Sequence, residues 1–182
     1  MLKNSQTTYG SVAKFFHWLI FLLVLVMIFV GYFMDDVANE ATREDVVNIH
    51  KVTGITILCL MALRLLWMLI NPKPSLPGTA VWERIAERTV HWLLYAVLIA
   101  MPICGWVGSV AAGYIPHFFS FKFALPIPKS KAIDDLAFSI HNTLAIVIIT
   151  VVSIHILAAL YHHVIKKDNV LLRMMPTRGD SN

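Results

Sequence analysis

Four long apolar runs, Phe15 to Phe33, Ile49 to Ile70, Val90 to Ala112 and Leu136 to Val164, constrain this chain more than any other feature. Each meets the ~20 residues that a helix needs to cross a hydrocarbon core about 30 Å thick, and in lipid a helix satisfies all its own backbone N–H and C=O groups. With 58% hydrophobic and 14% charged residues and a mean hydropathy of +0.69, the chain exceeds the ~45 to 50% apolar share of soluble domains. The reading is all-α: an integral membrane four-helix bundle, one domain over residues 1–182, with helices at about 12–34, 47–70, 82–112 and 132–165.

The first run follows Lys3 and Lys14 as a signal peptide's would, but its nineteen residues exceed the ~7 to 15 of a signal h-region and end without a small-residue cleavage pattern. It reads as a retained first helix. Lys3, Lys14, Lys73, Arg84, Arg88, Lys166, Lys167, Arg173 and Arg178 fall on the N-terminal side of the spans, and Arg43, Lys51, Lys122, Lys129 and Lys131 on the other. Nine against five predicts that both termini are cytoplasmic; in a bacterium the opposite face would be the periplasm. The same asymmetry accounts for a pI near 9.2 and implies no nucleic-acid partner.

Between spans, Asp35 to Val47 reads as an acidic outer link, and Asn71 to Val81 as an inner link in which Pro72, Pro74, Pro77 and Gly78 forbid helix. The third link, Tyr114 to Lys131, holds Pro116, Pro126 and Pro128, and its stretch His117 to Lys122 suits the membrane interface. His117 itself reads as a surface residue. The final helix is expected to begin near Ala132, with Asp134 and Asp135 favourable at its N-terminus.

Within these runs the histidines fall at two depths. His17 and His91 open the first and third runs at the inner face, and His50 opens the second at the outer face. On the fourth run His141 and His155 are fourteen residues apart, nearly four turns, so both project from about one face roughly 21 Å apart. Ionisable side chains are costly within a membrane and mark function. Depth pairs His50 with His141 at an outer centre and His17 with His155 at an inner one. His91 shares the inner depth, either in place of His17 or as a donor to a propionate.

Zinc would find only two nitrogens per level, half a tetrahedral set. A haem supplies the other four ligands and an apolar face suited to a bundle, so two stacked haems fit the pattern. Without C-x-x-C-H they would be held noncovalently. Cys59, Cys104, Met34, Met61, Met68 and Met101 read as packing or lipid-facing residues.

The fourteen-residue step recurs on every helix: His17 to Gly31, His50 to Arg64, His91 to Gly105 and His141 to His155. Gly31 and Gly105, with Gly54 one turn from His50, are expected to be flat places for a porphyrin. Arg64 should point inward to an inner propionate. His162, with His163, Lys166 and Tyr161, makes a polar cluster suited to a quinone headgroup or a proton path.

Phe16-His17-Trp18, Ile49-His50, Arg64-Leu65-Leu66, His141 with His155, and the tail His162-His163 through Lys167-Asp168-Asn169 to Leu171-Leu172-Arg173-Met174-Met175-Pro176 resemble the bacterial cytochrome b561 family over nearly the whole chain. That resemblance implies two haem b groups, held by His17 with His155 and by His50 with His141, and a quinone region that includes His162. It further implies a superoxide oxidase that takes electrons from superoxide, or another small periplasmic donor, and passes them to ubiquinone. Lys122, Lys129 and Lys131 are the candidates for steering an anion, with Arg43 and Lys51 nearby, although the outer links carry five basic and seven acidic residues. Two other classes fit the pattern less well: a non-enzymatic cytochrome b subunit relaying electrons between a partner dehydrogenase or hydrogenase and the quinone pool, and a haem-free structural membrane protein.

Overall fold

Helix α1 spans Ser11–Phe33, α2 Glu40–Ile70, α3 Val81–Ala112 and α4 Lys131–Tyr161 in a computed structural model that describes residues 1–74 and 80–176. Pro77, Gly78 and Arg178, used above to read the inner link and the charge balance, lie outside the described residues. All four helices are long and apolar enough to cross a membrane. Their outward faces carry large exposed apolar side chains such as Phe29, Leu69 and Ile146, which in a bilayer meet acyl chains instead of water.

The second helix begins seven residues before the expected start near 47, so most of the presumed acidic link is helical. Asn39 caps it, its side-chain oxygen accepting from the Thr42 N–H at 3.0 Å. An apolar run marks only the part of a helix inside hydrocarbon, and the first two turns of α2 carry solvated charges beyond that limit. Only Val37 to Asn39 separate α2 from a 3-10 turn over Met34–Asp36.

At its other end α3 closes on Gly113, whose φ of 94° is the left-handed region that lacks a penalty only for glycine. The Tyr114 N–H reaches back to the Ser109 carbonyl at 2.8 Å, and the Gly113 N–H to that of Val110 at 3.0 Å. The link beyond is a small antiparallel hairpin, β1 (His117–Phe118) on β2 (Phe121–Lys122). Asn48 clamps it to α2, donating to the His117 carbonyl at 2.8 Å and accepting its N–H at 3.1 Å. Trp106 of α3 holds the same link through the Phe123 carbonyl at 2.7 Å.

Successive helices pack side by side, α1 on α2, α2 on α3 and α3 on α4. Ile20, Val24, Ile57, Met61, Val97 and Ile148 form the core cluster. Each lies inside the fourteen-residue interval of its own helix, so the best-packed layer sits between the two histidine depths. Met61, 2% exposed, is core, whereas Cys59 is exposed. Past Tyr161 the chain makes a π-helical turn, His162–Lys166, ended by Lys167 at φ 54°. The tail then folds back on α1: the Trp18 indole donates to the Met174 carbonyl at 2.8 Å, and Arg173 Nε to the Thr7 carbonyl at 2.6 Å.

Candidate metal centres

Two histidine pairs meet across the bundle, one at each depth. The rings of His50 on α2 and His141 on α4 lie 6.4 Å apart, centroid to centroid, at the end away from the termini. The rings of His17 on α1 and His155 on α4 lie 6.1 Å apart at the end that carries both termini. Two imidazoles binding one metal from opposite sides, with metal–nitrogen bonds of about 2 Å, need centroids roughly 6 Å apart. His91 also converges on His155, at 5.4 Å.

At the far centre, Nδ1 of His141 lies 3.0 Å from the Met101 carbonyl. A carbonyl only accepts, so Nδ1 carries the proton and Nε2 is left as a free lone pair. Metal-binding histidines are held in this way. Nδ1 of His50 is buried without a hydrogen-bond partner among the described residues, so no hydrogen bond fixes which nitrogen of this ring carries the proton.

Glycines seat these rings. A Cβ added at Gly105 would lie 2.9 Å from both Cε1 and Nδ1 of His141, and one at Gly31 would lie 3.1 Å from Cε1 of His50. The flatness expected for a porphyrin is thus taken up by imidazole edges. Gly54 is different, since a Cβ there would meet Met27 and Pro102 at an ordinary 3.8 and 3.9 Å.

The near centre opens into a cavity of about 70 Å³ lined by His17, Arg64, His91, Tyr95 and His155 among apolar neighbours. Arg64 lines this cavity. Its Nη2 lies 3.1 Å from Nδ1 of His17, and its guanidinium lies 5.8 Å from the centre of the Tyr95 ring. A guanidinium only donates, so Nδ1 accepts and the proton of a neutral His17 sits on Nε2. Binding a metal through Nε2 therefore requires Arg64 to let go of Nδ1. Nδ1 of His91 faces the Glu87 carboxylate at 3.7 Å, and Glu87 is itself paired with Lys73 at 2.8 Å.

His162 and His163 sit on the π-helical turn and do not line this cavity. Nδ1 of His162 meets the Asp168 carboxylate at 2.6 Å, while His163 is exposed. Burial raises the Asp168 pKa, but hydrogen bonds from His162 and the Val170 N–H outweigh it and hold the carboxyl below its ordinary value. Lys166 is tied to Glu83 of α3.

The three candidate steering lysines differ in setting. Lys131 pairs with Asp135 at 2.8 Å, one turn on, so the two make a local dipole instead of a free positive charge. Lys129 lies against Gly113 at the C-terminal end of α3, where a cation complements the helix dipole. Lys122 is exposed on the hairpin, and Lys51, next to His50, stacks its ammonium 5.3 Å from the centre of the Tyr114 ring. Sequence reading missed Tyr95, Glu87, the Met101 carbonyl and the pairing of Asp168, quoted above only as part of the tail motif, with His162. Only Glu87 carried a signal, its i,i+4 spacing from His91.

The prokaryotic cytochrome b561 family matches residues 8–177. Cytochrome b561 homolog 2 of Escherichia coli strain K12 is 32% identical over 175 residues, covering 94% of this chain and 93% of that protein. A protein of Yersinia pestis named probable superoxide oxidase CybB is 34% identical over 167 residues, covering 89% of this chain and 92% of its own length. Cytochrome b562 of Cereibacter sphaeroides is 28% identical over 171 residues, 89% of this chain and 91% of that one.

Proposed function

This chain belongs to the prokaryotic cytochrome b561 family, and on that premise we propose that it is a di-haem b cytochrome of the bacterial inner membrane that oxidises superoxide and reduces ubiquinone. Two superoxide anions each give up one electron at the periplasmic face and leave as dioxygen. Ubiquinone takes the two electrons with two protons from the cytoplasmic side and leaves as ubiquinol. The two haems, when bound, supply the one-electron carriers between the faces.

The observation that carries this reading is the pair of imidazole couples at 6.1 and 6.4 Å, one at each end of the bundle. When haem is bound, His17 with His155, and His50 with His141, would hold the irons through ring nitrogens, with His141 using the Nε2 that its hydrogen bond to Met101 leaves free. The Met101 carbonyl fixes the His141 tautomer and orientation. Arg64 would pair with a propionate, a stronger charge-assisted partner for a guanidinium than the neutral imidazole of His17 that it now contacts, and His91 lines the inner site beside it. Lys122 and Lys129 draw the anionic donor toward the outer end. His162, oriented by Asp168, serves the quinone headgroup and its proton uptake, with His163 at the rim.

Mixing haem-loaded protein with a superoxide source and a short-chain ubiquinone tests the reading. Quinol should form faster than in a haem-free preparation and faster than spontaneous reduction. Equal rates with and without haem would sink the reading.

A further inference from the structure

A second cavity, about 700 Å³, lies between the N-terminal segment, the first turns of α1 and the returning tail. Its polar end holds Lys3, Lys14 and Arg173, with the Tyr9 and Ser11 hydroxyls. Lys14 and Arg173 are each only 9% exposed. Nη2 of Arg173 is buried without a hydrogen-bond partner, although Nε donates to Thr7 and the guanidinium stacks on Tyr9 at 5.8 Å. Lys14 has neither an ion pair nor a side-chain hydrogen bond among the described residues, and none of the cavity's lining residues is acidic. Buried cations without counter-charge are costly, so this end is built for an anion.

The other end of the cavity is apolar. Phe15, Trp18, Leu19 and Leu22 follow one another up α1 at helical spacing, and Phe15 and Leu22 are 62% and 59% exposed on a helix that crosses the membrane. An occupant matching both ends has an anionic head and acyl chains. We propose that this cavity binds one anionic phospholipid of the leaflet on the side of the termini, its phosphate between Lys14 and Arg173 and its chains along Phe15, Leu19 and Leu22. The lipid then ties the N-terminal segment, α1 and the tail together. This assignment is independent of the electron donor and acceptor proposed above.

Native mass spectrometry of the full-length protein, delipidated in mild detergent and offered phosphatidylglycerol or phosphatidylethanolamine, tests it. One phosphatidylglycerol should remain per chain, favoured over phosphatidylethanolamine, and Lys14→Gln should lower its retention about fivefold, the worth of one lysine at an anionic lipid surface. Arg173→Gln should do the same, but it also removes the hydrogen bond to Thr7. Lys14→Gln leaves the tail contacts intact and decides the matter if Arg173→Gln fails to fold. Equal retention of the two lipids, or undiminished phosphatidylglycerol binding by Lys14→Gln, would overturn the proposal. Millimolar inorganic phosphate should leave the lipid in place; stripping it would assign the site to free phosphate.

Discussion

Gly105→Ala should weaken haem binding at the outer centre while leaving the bundle folded. The new Cβ would stand 2.9 Å from Cε1 and Nδ1 of His141, where ordinary contacts begin near 3.4 Å, so the ring must retreat by the difference, about 0.5 Å. That movement strains the 3.0 Å hydrogen bond from His141 to the Met101 carbonyl. Overpacking of this size costs about 1 to 3 kcal/mol, or roughly fivefold to 150-fold in an equilibrium constant, and lost support of a metal ligand typically costs about 10- to 100-fold. Haem affinity at this centre should therefore fall about 10- to 100-fold. Helix propensity moves the other way, alanine being favoured over glycine by up to about 1 kcal/mol, so the variant should not unfold. Gly31→Ala, whose Cβ meets His50 at 3.1 Å, should show a milder loss, and Gly54→Ala, with nothing nearer than 3.8 Å, none. The assay is haem titration of the three purified variants, read at the Soret band with pyridine haemochromogen stoichiometry. Unchanged affinity in Gly105→Ala, or an equal loss in Gly54→Ala, would refute the claim that these glycines seat the outer histidines.

Other consequences are open to test. Because the His17–His155 separation suits an intervening metal better than the 5.4 Å between His91 and His155, His91→Ala should keep two haems and His17→Ala one; the reverse in haem counts would assign the ligand to His91. Lys122→Glu should slow reaction with superoxide severalfold at low ionic strength and converge on the unsubstituted protein at high salt, as stopped-flow spectroscopy would show. Asp168→Asn should free the tail and speed tryptic cleavage at Lys166 and Lys167. The depressed Asp168 pKa means its contribution is present above the ordinary value of 3.8 and lost as pH falls through the lower folded value. Protection of the tail should thus be level from about pH 8 to 5 and weaken only below about pH 4, as pulsed acid-protease digestion would reveal.

The bundle was legible because lipid imposes a length and a composition on each span. The histidine depths were legible because fourteen residues nearly close a whole number of turns. Arg64 and His155 fell out of the same arithmetic, and both face the inner cavity. The start of α2 was not legible from apolar content, since Glu40 to Asp45 are polar except for Ala41 and only the Asn39 cap marks the boundary. The role of Gly31 and Gly105 also escaped: spacing places them at the outer depth but does not say whether an imidazole or a porphyrin fills the space. The pairing of His162 with Asp168 and the return of Arg173 to Thr7 depend on a π-helical turn and a left-handed Lys167. Neither leaves a periodic trace in the chain.

Two haem centres, each held by one histidine couple, are a matter of stoichiometry, and counting haems decides it. Haem-to-protein ratios for the unsubstituted chain, His141→Ala and His155→Ala should be two, one and one, with the two variants losing different components of the reduced α-band. A ratio of one in the unsubstituted protein, or the loss of the same spectral component in both variants, would contradict it.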